Sequence, residues 1–137
     1  MFEPELHLGE DIMVPDVAGW RRERLPVEAD VAYSTIPPDW LCEILSPGTE
    51  RFDRAYKLPR YAAAGVQYLW LIHPVDRTLE VQRLHEGKWL ILATYLDDAM
   101  IRAEPFEAIS FDLAQLWLDF VPPSRANEPV ALYETTR

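Results

Sequence analysis

The sequence holds one cysteine, Cys42, in 137 residues. That excludes a disulfide framework and any multi-cysteine zinc or iron–sulfur centre. No apolar run approaches the ~20 residues of a membrane-spanning helix. The opening residues lack the basic, apolar and small-residue layout of a secretory signal, so the expectation is a cytoplasmic protein. No P-loop, G-x-G-x-x-G or G-x-S-x-G run occurs, which removes the common phosphate-cradle and serine-hydrolase signatures. The three histidines, His7, His73 and His85, have no metal-ligand spacing. Basic residues are also scarce: 13 Lys and Arg face 23 Asp and Glu, a net charge of −10. Non-specific binding to nucleic acid draws its affinity from phosphate neutralisation, so this balance argues against it.

The charge is unevenly placed. Residues 1–20 carry five acids and no base, and residues 97–137 carry eight acids against three bases. Between them ten of each sign balance. Within that balanced stretch Arg51, Arg54, Lys57 and Arg60 recur every third residue, making one segment locally basic.

Twelve prolines punctuate the chain. The apolar runs between them are short, which points to strands more than helices. Residues 12–18 read as a strand interrupted by Pro15, hence an edge strand or a bulge. Residues 21–38 read as a connecting excursion. Residues 40–45 read as a buried strand, and Ser46-Pro47-Gly48-Thr49 as a turn in which Ser46 or Thr49 caps the next element. A helix is expected over 50–64, stopped by Gly65 and kinked or broken at 55–59 by Pro59. Strands come next at 66–72, 78–84 and 88–96, the last two forming a hairpin through His85-Glu86-Gly87. A short strand at 100–103 and a helix over 112–119, capped by Asp112, complete the pattern. This is an α/β (α+β) chain with one domain over residues 1–121 and a loose tail over 122–137. The unit from 40 to 72 is strand–helix–strand, so its two strands are parallel if they share a sheet.

Glu43 is the most informative residue. Along a strand it shares a face with Leu41 and Leu45, while Trp40, Cys42 and Ile44 share the other. A carboxylate between two apolar faces is costly unless a cation, a metal or hydrogen-bond donors meet it. An ion pair and a metal ligand are both open at this point. Asp16 makes a weaker case, because Pro-Asp is common in turns. Asp53, Lys57 and Tyr61, at i, i+4 and i+8, line one helix face. That face brings Lys57 over the C-terminal end of the first strand, beside Glu43, where open sheets gather ligands. Two carboxylates and a lysine form a set that holds a hard divalent cation such as Mg²⁺ and acts on phosphate. Cys42, mid-strand on an apolar face, reads as a core thiol. The five tryptophans read mostly as core; Trp20, beside Arg21, Arg22 and Arg24, is the one placed to contact a partner.

The runs VPDVAGWRRERLP and PPDWLCEILSPGTERFDRAYKLPRYAAAGVQYLWLIHP, then TLEVQRL and the late PF…FDL…LW, closely resemble the Uma-two family. These are restriction-endonuclease-like proteins of the PD-(D/E)XK nuclease superfamily. The match covers residues 6–118. The resemblance implies a restriction-endonuclease-like mixed sheet flanked by helices. It implies Asp16 and Glu43 as metal ligands, with the Ile44 backbone carbonyl as a third, and Mg²⁺ or Mn²⁺ as the cofactor. The superfamily's usual lysine position falls on Leu45, and the lysine moves to the following helix as Lys57. Arg51, Arg54 and Arg60 become phosphate-binding candidates, with Asp53, Tyr61 and Ser46 in support. The implied activity is Mg-dependent endonuclease cleavage of DNA by metal-activated water, in a homodimer. The alternative is a non-catalytic or degenerate nuclease-fold module acting in binding or oligomerisation. A third reading leaves Glu43 and Lys57 as a purely structural ion pair. Three departures stand out. The chain begins about ten residues before the Pro-Asp strand, so the expectation is that the family's N-terminal helical layer is missing; the strand over 66–72 ends in His73 where aspartate is usual; and the net charge is unfavourable to a polyanion.

Overall fold

The computed structural model describes residues 1–24 and 33–118; the tail expected at 122–137 lies outside the described residues. Five strands form one mixed sheet in the order β3-β4-β5-β6-β7. They are β3 (Val17–Gly19), β4 (Trp40–Ile44), β5 (Tyr68–His73), β6 (Thr78–His85) and β7 (Lys88–Leu96). β4 and β5 are parallel, with Glu43 opposite Leu71, and the remaining pairs are antiparallel. Parallel strands covered on both faces read as continuous apolar runs. WLCEI and YLWLIH are such runs, and Glu43 is the exception within them.

Proline divides the strand expected over 12–18. β2 (Asp11–Met13) pairs with β1 (Leu6–Leu8) in a separate hairpin, turned by Gly9 at φ 66°. β3 starts afresh after Pro15 and joins the large sheet. The division is physical: Pro15 has no N–H to give a ladder. Residues 1–3 run along the outer side of β3. The Ala18 N–H donates to the Met1 carbonyl (2.9 Å) and the Glu3 N–H to the Asp16 carbonyl (2.8 Å).

Between β4 and β5 one helix packs on the sheet in three consecutive stretches. These are α1 (Glu50–Phe52), a π-helical turn (Asp53–Lys57) and α2 (Leu58–Ala63). In the π turn the Leu58 N–H reaches the Asp53 carbonyl, five residues back. Pro59 explains the irregularity: it lacks an N–H, and its ring crowds the carbonyl four residues earlier. The helix widens by one residue instead of breaking. Gly65, at φ 84°, ends it in the left-handed conformation. Thr49 stands at the N-cap without a side-chain cap bond; the Ser46 carbonyl accepts the Thr49 and Glu50 N–H groups instead.

Leu41, Leu45, Leu69 and Leu71 meet Leu58 and Tyr61 of the helix in one core layer. On the opposite face Cys42, Trp70, Leu79 and Val81 meet Ile101, Leu113 and Trp117. This second face is covered by the segment β8 (Met100–Ile101) to β9 (Phe111–Asp112) and a 3₁₀ helix (Leu113–Trp117). The α-helix expected over 112–119 is therefore 3₁₀ and shorter, though Asp112 does cap it, accepting from the Ala114 N–H at 2.9 Å. So the sheet carries an α-helix on one face and a short 3₁₀ turn on the other. Cys42 is buried among these side chains, and burial pushes its thiol up, as for a core thiol. No described helix is long and apolar enough to cross a membrane.

Candidate active site

Glu43 leaves the centre of the sheet on its helix-bearing face and is 1 % exposed. The helix brings three groups to it. Tyr61 donates its hydroxyl to Glu43 Oε1 at 2.8 Å. Lys57 donates its ammonium to Oε2 at 3.2 Å. Asp53 stands behind Lys57, with Oδ1 3.5 Å from Nζ. The i, i+4, i+8 spacing of these residues on one face places them together, and the π turn lies between Asp53 and Lys57.

Asp16 reaches the same place from the edge strand. It accepts the Ile44 N–H at Oδ2, 2.6 Å away. The register Val17↔Cys42 puts Pro15 opposite Ile44, just past the end of β3. A ladder would continue there, but Pro15 has no N–H, and the Asp16 side chain takes the Ile44 N–H. Within an extended strand a residue's N–H and C=O point to the same side. The Ile44 carbonyl therefore faces the edge that Asp16 occupies.

The electrostatics follow from burial. Desolvation pushes the Glu43 carboxyl up to about 7; Lys57 and the Tyr61 hydrogen bond oppose this, and the Asp16 charge adds to it. Desolvation also raises the Asp53 carboxyl, against Lys57. Burial works to lower the Lys57 ammonium, but Glu43 and Asp53 outweigh it and hold it above the usual lysine range. Desolvation and the facing Glu43 charge push the Tyr61 phenol up, so Tyr61 is a fixed donor. The cluster holds three carboxylates and one ammonium, an excess of negative charge in a desolvated place. Its donors toward a cation are all oxygens: the two carboxylates of Asp16 and Glu43 and a backbone carbonyl. That set fits a hard divalent ion such as Mg²⁺ or Mn²⁺. Among the described residues no group of three or more Asp, Glu, His or Cys side chains is placed to hold a metal ion.

The flanking groups fall differently. Ser46 is paired with Thr49, hydroxyl to hydroxyl at 2.9 Å, and not with the carboxylates. Arg54 pairs with Glu50 (3.0 Å) and Glu80 (3.4 Å) and lies 3.4 Å from His73 Nε2. On its other side, His73 Nδ1 lies 3.7 Å from Glu50 Oε1. Arg60 lies over the Tyr56 ring and pairs with Asp11 at 3.4 Å. Arg51 is exposed and has no ionic partner among the described residues. Of the three arginines, only Arg51 has no ionic partner among the described residues.

A protein-family model described as "Putative restriction endonuclease" matches residues 3–115. Among solved structures, a putative nuclease of Anabaena variabilis belonging to DUF820 superimposes with a TM-score of 0.67 at 25 % identity. The alignment covers 85 % of this chain and 66 % of that one, so the chain spans just under two thirds of that protein's length. No curated protein matches the chain.

Proposed function

The chain belongs to the Uma2 family, and on that premise we propose that it is a metal-dependent endonuclease that hydrolyses phosphodiester bonds in DNA. The observation that carries the reading is the buried Glu43 carboxylate, met by Lys57 at 3.2 Å and flanked by Asp16 at the strand edge. A structural pair would need one cation and one anion. Here three carboxylates surround one ammonium, an imbalance that a divalent cation relieves.

In this reading Asp16, Glu43 and the Ile44 carbonyl hold Mg²⁺ or Mn²⁺. A bound divalent ion polarises the phosphate and lowers the pKa of water. The protein's own groups supply the rest. Tyr61 fixes Glu43 Oε1 by its hydrogen bond and so sets the direction of the carboxylate. Lys57, kept charged by Glu43 and Asp53, presents N–H donors to the attacking water or to oxygen charge developing on phosphorus. Asp53 holds the ammonium from behind, 3.5 Å from Nζ, so Lys57 would stay placed with a cation on Glu43. Water attacks phosphorus, one new P–O bond forms, and the bond to the leaving sugar oxygen breaks as that oxygen gains a proton.

The test is cleavage of single- and double-stranded DNA in Mg²⁺ and Mn²⁺ by wild type and Asp16→Asn. A ligand worth several kcal/mol in the transition state corresponds to a loss of ~10²–10³-fold. Wild-type rates in Asp16→Asn would remove Asp16 from the site, and no cleavage of any DNA by the folded wild type would remove the activity.

A further inference from the structure

At the far end of β3 and β4 from Asp16 and Glu43 lies a cavity of about 230 Å³, walled by Trp20, Trp40, Tyr68 and Phe106. It opens on the other face of β4, since Trp40 and Glu43 differ by three positions in a strand. It is about 10 Å along the strand from Glu43. Its aromatic walls are held from behind. Trp40 meets Trp70 and Phe106 edge to face, at 5.4 and 5.1 Å between ring centroids. The Trp20 indole N–H is fixed to the Ile36 carbonyl at 2.9 Å. Gly19 lets the Trp40 ring lie against β3, because a Cβ there would stand 3.2 Å from Trp40 Cε3.

Two arginines, Arg21 and Arg22, stand at one side of the cavity, while Glu104 and Glu107 flank Pro105 and Phe106 on the other. Asp39, also in the lining, is spent: one oxygen accepts the Arg21 N–H at 2.6 Å and the other pairs with Arg24. The side chains of Arg21, in the lining, and Arg22, beside it, are exposed and have no ionic partner among the described residues. The volume falls below the ~300–1,000 Å³ of drug-sized pockets, which suits one planar ring system. Aromatic walls with cations at the rim are how proteins hold unpaired bases and their phosphates.

We propose that this cavity binds one unstacked base of the nucleic-acid strand, with Arg21 on the adjoining phosphate. The inference rests on the nucleic-acid substrate proposed above. β3 links the two sites in sequence, with Asp16 just before its first residue and Trp20 just after its last. The two sites lie on opposite faces of the sheet, and residues 1–3 line the outer edge of β3, so a strand with a base in the cavity passes round the Trp20 end of the sheet to bring a phosphate toward Glu43 and Lys57. The substrate class is then single-stranded DNA, or duplex locally opened.

The test is a titration in EDTA, where hydrolysis plays no part, followed by the indole N–H signals in NMR. The probes are deoxyadenosine 5′-monophosphate and a short single-stranded oligodeoxynucleotide. The expected result is saturable movement of the Trp20 and Trp40 signals with Trp89 and Trp117 unmoved, and tighter binding of the oligonucleotide than of the mononucleotide. Phe106→Ala is expected to weaken oligonucleotide binding about tenfold. The surface change Arg21→Glu is expected to weaken it and to flatten its salt dependence. No saturable movement of these two signals, or binding unchanged in both variants, overturns the inference. Equal affinity for the two probes overturns the strand as occupant. Metal-dependent cleavage that persists without binding in the cavity defeats this inference alone; binding in the cavity without any cleavage defeats the nuclease reading alone.

Discussion

Glu43→Gln is expected to abolish metal-dependent cleavage and, at the same time, to stabilise the metal-free protein above neutral pH. The first effect follows from losing an anionic ligand, a fall of ~10³-fold or more. The second follows from burial. The Glu43 carboxyl sits at about 7 when folded, against 4.5 as its ordinary value. The folded state therefore binds more protons than the unfolded state between those values, so stability falls as pH rises through that window. The deprotonated carboxylate costs on the order of 3 kcal/mol at pH 8, and Gln mimics the protonated form. Thermal melts from pH 4 to 9 in EDTA check this: wild type loses stability toward pH 8 and Glu43→Gln follows a flatter curve. A carboxylate kept only for a structural ion pair predicts the opposite, a Glu43→Gln protein less stable than wild type at pH 8.

Lys57→Met is expected to damage both stability and cleavage. It leaves Glu43, whose side chain is 2 % exposed, without its cation. An orphaned buried charge costs ~3–5 kcal/mol. The cost is largest at pH 8, where the carboxylate is ionised, and shrinks near pH 5, where a proton takes the place of the ammonium. Cleavage falls ~10²–10³-fold if the ammonium meets charge in the transition state, while the metal affinity survives. Melts at the two pH values and single-turnover cleavage at saturating Mn²⁺ check the pair of outcomes. The double change Glu43→Gln with Lys57→Met recovers part of the lost stability, because position 43 then no longer carries an orphaned buried charge, while Asp53 still lacks its cation.

The site was legible where chemistry contradicted pattern. A glutamate amid WLCEIL is costly in any strand, so Glu43 announced itself, and helical spacing brought Asp53, Lys57 and Tyr61 to its face. Pro59 marked the irregular helix, whereas Pro15, read as an edge or bulge within one strand, in fact separates β2 from β3. Pro59 did not reveal that the helix would widen into a π turn, because that outcome depends on packing against the sheet. β1 and β9 went unread: strands of three and two residues carry no period. The 3₁₀ helix Leu113–Trp117 packs in the same buried cluster as Trp70 and Leu79, a tertiary context that its own sequence does not show. Arg54 and Arg60 look free in sequence, but their partners Glu80 and Asp11 arrive from distant strands. The aromatic cavity was hidden for the same reason. Trp20 beside three arginines hinted at a contact surface, whereas Trp40, Tyr68 and Phe106 join it only through the fold.

The most direct measurement of the central claim is a calorimetric titration of the purified chain with Mn²⁺ and Mg²⁺, run beside Glu43→Ala. The account predicts saturable binding by wild type, proton release on binding near pH 7 as the cation displaces the Glu43 proton, and no binding by the variant. Folded wild type that binds neither ion, or Glu43→Ala that binds as wild type does, would contradict it.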